Sequence, residues 1–583
     1  MTTSFSQFDT QPVAIKDWLD NLPIASVGET ARQLYMAMRD VNRQDAVPVK
    51  QHFNLLEGIG EPLELILPEL HRHYAGKPLP LSQKRRKVAD LYTQLLRQAI
   101  LGYQQVIAHS IELSRFGWKK VVTTSVHRIF YYSSLLLCNY RQLHMPYQKG
   151  MWQQLYWIYQ LVEKYNLLNA KVTGLGEIQI KTSIGVEFKK LLLHSLLSPN
   201  LFKPSELKDV LNNLDIWVQY VTIKTTPRDE TNTTYAFTLE TDYPPGLIAQ
   251  NISQAENQLI DVRYLDISNL LNHITKIMHN TKSGVETIKL GRRHITTPRS
   301  LLILLNIWGR PPTRDGERRL IQGHAEVAIG VSAIHYVISS GRHTSGPVPD
   351  KPAKNNNLQN DFIISHSPTQ SGELNTVDFP PVGDSGDDLW DSTYFEPESD
   401  SFSTAPSWTE SMRMKVYSHL NAKVMNISKG GFCIALPQNG VEHIQTNELV
   451  ACRGKTGQWQ LGEIRWMVCP TTGPIRAGIQ KHSQSVKPAE ILLTSGVKAQ
   501  PIKCLLGKNE DGHILFLPNM PGKLDHNEIQ LIVDGKARSI QIQDSLFTTP
   551  VGSAHLFDFS DTHPASSQLA ANSDDYKSIW ASL

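Results

Sequence analysis

Asn426-Ile427-Ser428-Lys429-Gly430-Gly431 separates two apolar runs, Val424-Met425 before it and Phe432-Cys433-Ile434-Ala435 after it. A polar hexad in this setting reads as a tight corner between two strands. Asn and Ser oxygens bond nearby backbone N–H groups in such corners, and glycine tolerates positive φ or close approach by another chain segment. The corner leaves amide and hydroxyl groups facing outward, where they can grip a polar ligand. Its companion is an arginine cluster far upstream, Arg310, Arg314, Arg318 and Arg319.

On both sides of the corner the chain alternates as strands do. Ala422–Asn426, Phe432–Ala435, Gln458–Val468 and Ile475–Gln480 form one group. Ile502–Leu506, His513–Leu517, Gln530–Val533 and Arg538–Gln543 form another, with hairpin signals at Glu510-Asp511-Gly512 and Asp534-Gly535. The earlier half is different. From about Glu29 to Tyr220 apolar residues recur at helical spacing, as in Leu81–Ile107, where Ser82 is a candidate N-cap. Lys203-Pro-Ser-Glu-Leu opens a further helix with proline in its first turn. No 34-residue self-similarity is present, so a bundle or irregular solenoid is expected rather than tetratricopeptide repeats. Val218, Tyr220, Thr222 and Lys224, then Tyr235–Leu239, read as extended, and helices are expected over Ser268–Met278 and Leu301–Trp308.

Residues 344–412 are of another composition. Acidic residues greatly outnumber basic ones, and Pro, Gly, Ser and Asn dominate. Such a segment buries too little apolar surface to offset chain entropy, and disorder is expected. A docking role for Trp390, Tyr394, Phe395 and Trp408 is the alternative. The chain as a whole, 583 residues at a formal charge of +3, is too long for one core and too balanced to suggest nucleic acid or a membrane surface. Five cysteines without a CxxC pair fit reduced thiols in a cytoplasm. Neither a signal peptide nor a membrane span is expected.

Arg314-Asp-Gly-Glu-Arg318, a strand at Ala325–Ile329, Asn426-Ile-Ser-Lys-Gly-Gly431, Gly462-Glu-Ile-Arg-Trp466 and Ala477-Gly-Ile-Gln480 occur in that order. This order resembles the PilZ family of cyclic di-GMP receptors, which carry Arg-x-x-x-Arg and a downstream Asp/Asn-x-Ser-x-x-Gly on a small β-barrel. The resemblance covers roughly 310–343 and 413–490. It departs in spacing, because the family's two motifs lie much closer together; excising the acidic segment restores the usual interval. The resemblance implies a split six-stranded barrel and a cyclic di-GMP site at Arg314, Arg318, Asn426, Ser428 and Gly431. Arg310-Pro-Pro-Thr-Arg314 fits the same pattern, so Arg310 and Arg319 remain candidates. The chemistry agrees: an arginine fork meets a guanine edge bidentately, pairs with phosphate and stacks on a purine, which lysine cannot do together.

Competing readings are weaker. Asp315 and Glu317 could simply pair with Arg318 and Arg319 on a solvated turn. Glu69, His71 and His73 do not share a helix face, which argues against a metal site. Lys84-Arg-Arg-Lys87 reads as a solvated helix start, Arg292, Arg293 and His294 have no fixed geometry, and Trp459 and Trp466 read as barrel core. No catalytic signature is present, so no enzyme is expected.

The expected architecture is multidomain α+β. It comprises a helical domain (1–215), a mixed α/β connecting region (216–300), the split barrel (301–343 plus 413–490) around the insertion, a small C-terminal β domain (491–565) and a tail (566–583). The expected function is a cytoplasmic cyclic di-GMP effector without a cofactor, coupling the ligand to a helical domain that recruits an unknown protein. The alternative is a PilZ-like scaffold that binds no nucleotide and serves a pilus, flagellar or secretion machinery.

Overall fold

A computed structural model describes residues 11–559 apart from 45–46, 114–117, 176–179, 203, 227–233, 248–260, 283, 293, 310–318, 341–419, 439–440, 442–443, 455–456, 471, 494–500, 510–511, 519–528 and 549–551. The expected disordered insertion, the tail, and Arg310, Arg314 and Arg318 lie outside the described residues. The described chain falls into two compact units, one within 11–309 and one within 319–559.

The first unit is helical for most of its length. Its helices are α1 (Pro12–Asp20), α2 (Val27–Asn42), α3 (Val49–Arg72), α4 (Gln83–Leu113), α5 (Trp118–Gln142), α6 (Met151–Lys164), α7 (Ile184–Leu196), α8 (Pro204–Asn212) and α9 (Leu214–Trp217). Apolar stripes on α2, α3, α4 and α5 meet in a core where Leu34, Leu55, Leu95, Val126 and Phe130 are fully buried. That core also holds charge. Arg128 of α5 reaches both carboxylate oxygens of Glu57 on α3 at 3.0 Å, and Tyr103 of α4 donates to the same carboxylate at 2.7 Å. A short hairpin, β1 (Lys171–Thr173) and β2 (Lys181–Ser183), precedes α7, and Ser183 Oγ accepts Val186 N–H at 3.3 Å to cap that helix.

A four-stranded antiparallel sheet follows, built from β3 (Thr222–Lys224), β4 (Thr234–Thr238), β5 (Gly246–Leu247) and β6 (Val262–Asp266) in the order β3-β6-β4-β5. Val218–Tyr220 forms a 3-10 turn, not the extended run expected from the sequence. Trp217 and Val218 are both buried, and two consecutive inward residues suit a helical turn rather than an alternating strand. The sheet is stitched to α6: Asp242 accepts N–H from Trp152 at 2.9 Å at the helix start, and Arg263 grips Glu163 at 2.7 Å near its end. Phe237 stacks on Tyr156 with centroids 5.1 Å apart. The unit closes with α10 (Ser268–Asn280), the β7 (Ile288–Lys289)–β8 (Ile295–Thr296) hairpin and α11 (Pro298–Gly309), so both expected helices are present.

Among the described residues, the second unit consists of two closed antiparallel barrels and one helix. The first barrel contains β9 (Arg319–Ile329), β10 (Leu420–Ser428), β11 (Gly431–Leu436), β12 (Leu449–Gly454), β13 (Gln460–Val468) and β14 (Ile475–Ser483). Its circular order is β10-β11-β14-β13-β12-β9. The barrel is split, because β9 lies before residues 341–419 and its partner β10 after them, with Ala325 opposite Ala422. At Gly330, where φ is +87°, β9 turns into α12 (Val331–Ser340). The C-terminal β region is itself a closed six-stranded barrel: β15 (Val486–Leu493), β16 (Ile502–Lys508), β17 (His513–Pro518), β18 (Ile529–Val533), β19 (Lys536–Thr548) and β20 (Gly552–Phe559). Its interior is filled by Ile491, Leu506, Leu515, Leu531 and Ile540, among others.

Candidate functional site

The Asn426–Gly431 corner joins β10 to β11, and a β-bulge decides what it presents. Val424 pairs with Ile434, but the next pair is Asn426 with Cys433, and the register against β9 shifts at the same point. Ile434 is fully buried in the barrel interior. Met425 is the extra residue, and its insertion re-aims Asn426 to the outer face, where regular alternation would have pointed it inward. Ser428 follows on the same side, paired with Gly431. Its hydroxyl donates to the Gly431 carbonyl at 3.2 Å, so the corner closes by a bond to C=O, not to N–H as the sequence suggested.

Gly431 has a steric reason to be glycine. Its φ is not positive; a Cβ there would meet the Ile479 carbonyl oxygen of β14 at 2.0 Å. Lys481 N–H donates to the Gly430 carbonyl at 2.9 Å and pins the corner to the same strand.

Two transverse rows result on the outer face. One runs Asn426, Cys433, Gly478, Trp466; the other runs Ser428, Gly431, Gln480, Glu463. Trp466 is 38% exposed, against the expectation of core, while Trp459 is buried as expected. A register shift between Ile464 and Trp466 turns the indole outward. There it covers Gly478, where a Cβ would lie 2.1 Å from the indole nitrogen. Glu463 is nearly fully buried and paired with Arg465 at 3.4 Å and His482 at 3.1 Å. Lys423 and Arg476, opposite each other across Ala435, add cations to this face.

Of the arginine cluster, Arg319 is described. It is exposed at the start of β9, opposite Ile427, and Leu320 beside it pairs with Asn426 and is 87% exposed. β9 thus begins beside the corner; Arg310, Arg314 and Arg318 precede it in the sequence, outside the described residues. Among the described residues no His/Cys/Asp/Glu group could hold a metal ion. The Glu69, His71, His73 stretch is structural: His71 donates to Gln142 Oε1 at 2.6 Å and Glu69 pairs with Arg72 at 2.9 Å. Among the described residues no helix is long and apolar enough to cross a membrane.

A split six-stranded barrel with this corner on its outer face belongs to the PilZ class. Two family models match the chain: the N-terminal domain of the cyclic-di-GMP receptor FimW over residues 13–228, and its middle PilZ domain over residues 234–488. The chain belongs to this FimW-like family. It is similar throughout its length to the cyclic-di-GMP receptor FimW of Pseudomonas aeruginosa, 22% identical over 99% of this chain and 96% of the relative. No solved structure matches it.

Proposed function

We propose that the outer face of the first barrel binds cyclic di-GMP and that the protein acts as a receptor, not an enzyme. The observation that carries this is the Met425 bulge, which sets Asn426 and Ser428 outward beside the start of β9. Arg314 and Arg318 supply guanidinium groups to the phosphates and guanine edges, with Arg310 and Arg319 as flanking candidates. Asn426 and Ser428 offer amide and hydroxyl groups from the opposite side, and Gly431 keeps the corner tight. The exposed Trp466 ring bounds the face on its far side. In domain terms, 301–343 and 413–490 capture the ligand, and the helical residues 1–215 carry the output, by rearranging or by receiving a protein partner. Ligand binding drives such an output only by favouring one arrangement over another.

Isothermal titration of the full chain with cyclic di-GMP tests the proposal. Wild type binds, and Arg314→Ala/Arg318→Ala or Ser428→Ala weakens binding. A charge-assisted hydrogen bond contributes roughly 1.5–3 kcal/mol, so the arginine pair should cost at least about tenfold. Absence of heat with the wild type defeats the receptor reading and leaves the scaffold alternative. Unchanged affinity in the arginine variant defeats the arginine assignment alone.

A further inference from the structure

The second barrel begins at β15, and both family matches end by residue 488. Its topology repeats that of the first. Counting strands within each barrel in chain order, the circular order is first, second, third, sixth, fifth, fourth in both, with every neighbouring pair antiparallel. The ligand face proposed above lies on the second, third and sixth strands. Its counterpart in the C-terminal barrel is the outer face of β16, β17 and β20.

That counterpart is already occupied. Cys504 and Leu506 of β16 and Leu515 and Leu517 of β17 point into the barrel, so Leu505, Ile514 and Phe516 point out. Leu505, Phe516 and Ala554 form one transverse row, and Gly507, Ile514 and Leu556 the next. Leu505, Phe516 and Ala554 have no exposed surface at all. They share one apolar cluster with Val331 and Ile334 of α12 and with Leu449, Ala451 and Leu461 of the first barrel. A staple fixes the joint: Ser483 Oγ accepts Lys508 N–H at 2.8 Å and donates to the Ser485 carbonyl at 2.6 Å. Gly507 is held to glycine by that staple, since a Cβ would lie 2.8 Å from the serine side chain.

The equipment for a nucleotide is missing as well. Only Gln484 and Ser485 join β14 to β15, and no arginine occurs between Arg476 and Arg538. At the β16–β17 corner Asn509 spends its side-chain oxygen on Gly512 N–H at 3.0 Å.

We infer that residues 486–559 form a second barrel of PilZ topology whose ligand-equivalent face has become the seat for α12 and the first barrel, so that the chain holds one nucleotide site and not two. The position of the lost site rests on the ligand face proposed above; the seat rests on packing alone. The first barrel's outer surface on β9, β12 and β13 thus gains a permanent protein partner within the same chain.

Two measurements on the full chain test this. Hydrogen exchange by mass spectrometry is compared for wild type, Ile334→Ala and Ile334→Asp. The seat predicts at least about tenfold faster exchange in β16, β17 and β20 for the aspartate variant, a smaller rise for alanine, and unchanged exchange in α2–α5. Exchange in 486–559 that ignores both substitutions overturns the seat. Titration with cyclic di-GMP should then give one ligand per chain, abolished by Asn426→Ala/Ser428→Ala. Two per chain, or residual binding removed by Asn509→Ala, overturns the single-site inference. Absence of any binding by the wild type refutes the receptor reading, and exchange still decides the seat.

Discussion

Gly431 and Gly478 are glycines because something else stands where their side chains would go. At Gly431 it is the β14 backbone, and at Gly478 it is the Trp466 indole. The two differ in what can yield. Backbone cannot move without opening the barrel, so Gly431→Ala should lower stability by about 1–3 kcal/mol, read as a shifted denaturation midpoint. Gly478→Ala should instead evict the indole, read as red-shifted tryptophan emission with a smaller loss of stability. Equal, negligible effects would contradict the geometry. At this scale the sequence was informative where chemistry is local. Asn426, Ser428 and Gly431 announce a corner by type and spacing. The outward Asn426 agrees with the corner read from the sequence, but the bulge that produces it and the outward turn of Trp466 were not legible, because a register shift leaves no mark in composition.

At the level of elements, periodicity found most helices and strands, and failed where burial overrides alternation, as at Trp217 and Val218. It also gave no hint of the ion pair between α3 and α5. Arg128 is almost wholly buried, and its partner Glu57 also serves Tyr103. Removing one member of such a pair leaves an uncompensated charge. Glu57→Ala should therefore cost about 3–5 kcal/mol, with Glu57→Gln intermediate. A thermal melt of Glu57→Ala superimposing on wild type would show that the pair is solvated. The β9–α12 joint carries a second, partly buried acid. Glu448 lies beneath Gly330, where a Cβ would be 3.3 Å from its carboxylate, and desolvation raises its pKa to about 7.

Over the whole molecule these burials give opposite responses to acid. Burial lowers His52 and His194 to about 4 and His127 to about 3, below the ordinary value near 6.5. Their contribution to stability is present above pH 6.5 and is lost as pH falls toward those values. Glu448 has the reverse sign: its contribution is full below about pH 4.5 and is lost as pH rises through about 7. Exchange measured between pH 7.5 and 4.5 should show the helical unit opening in acid, with His194→Gln flattening that slope, while Glu448→Gln removes the loss of barrel stability toward neutral pH. A His194→Gln slope identical to wild type would contradict this. The passage from a helical to a strand-rich half was legible as a change in periodicity. The equivalence of the two barrels was not, because strand order arises from pairings that no local pattern encodes.

Because β9 precedes its hydrogen-bonding neighbours by about 100 residues, it leaves the ribosome several seconds before β10 at roughly 5–20 residues per second. During that interval an eleven-residue strand with free edges, Arg319–Ile329, has nothing to pair with. The split that leaves the finished barrel intact thus makes its birth the vulnerable moment. Aggregation during synthesis, rather than unfolding afterwards, is where substitutions along this strand should first be felt.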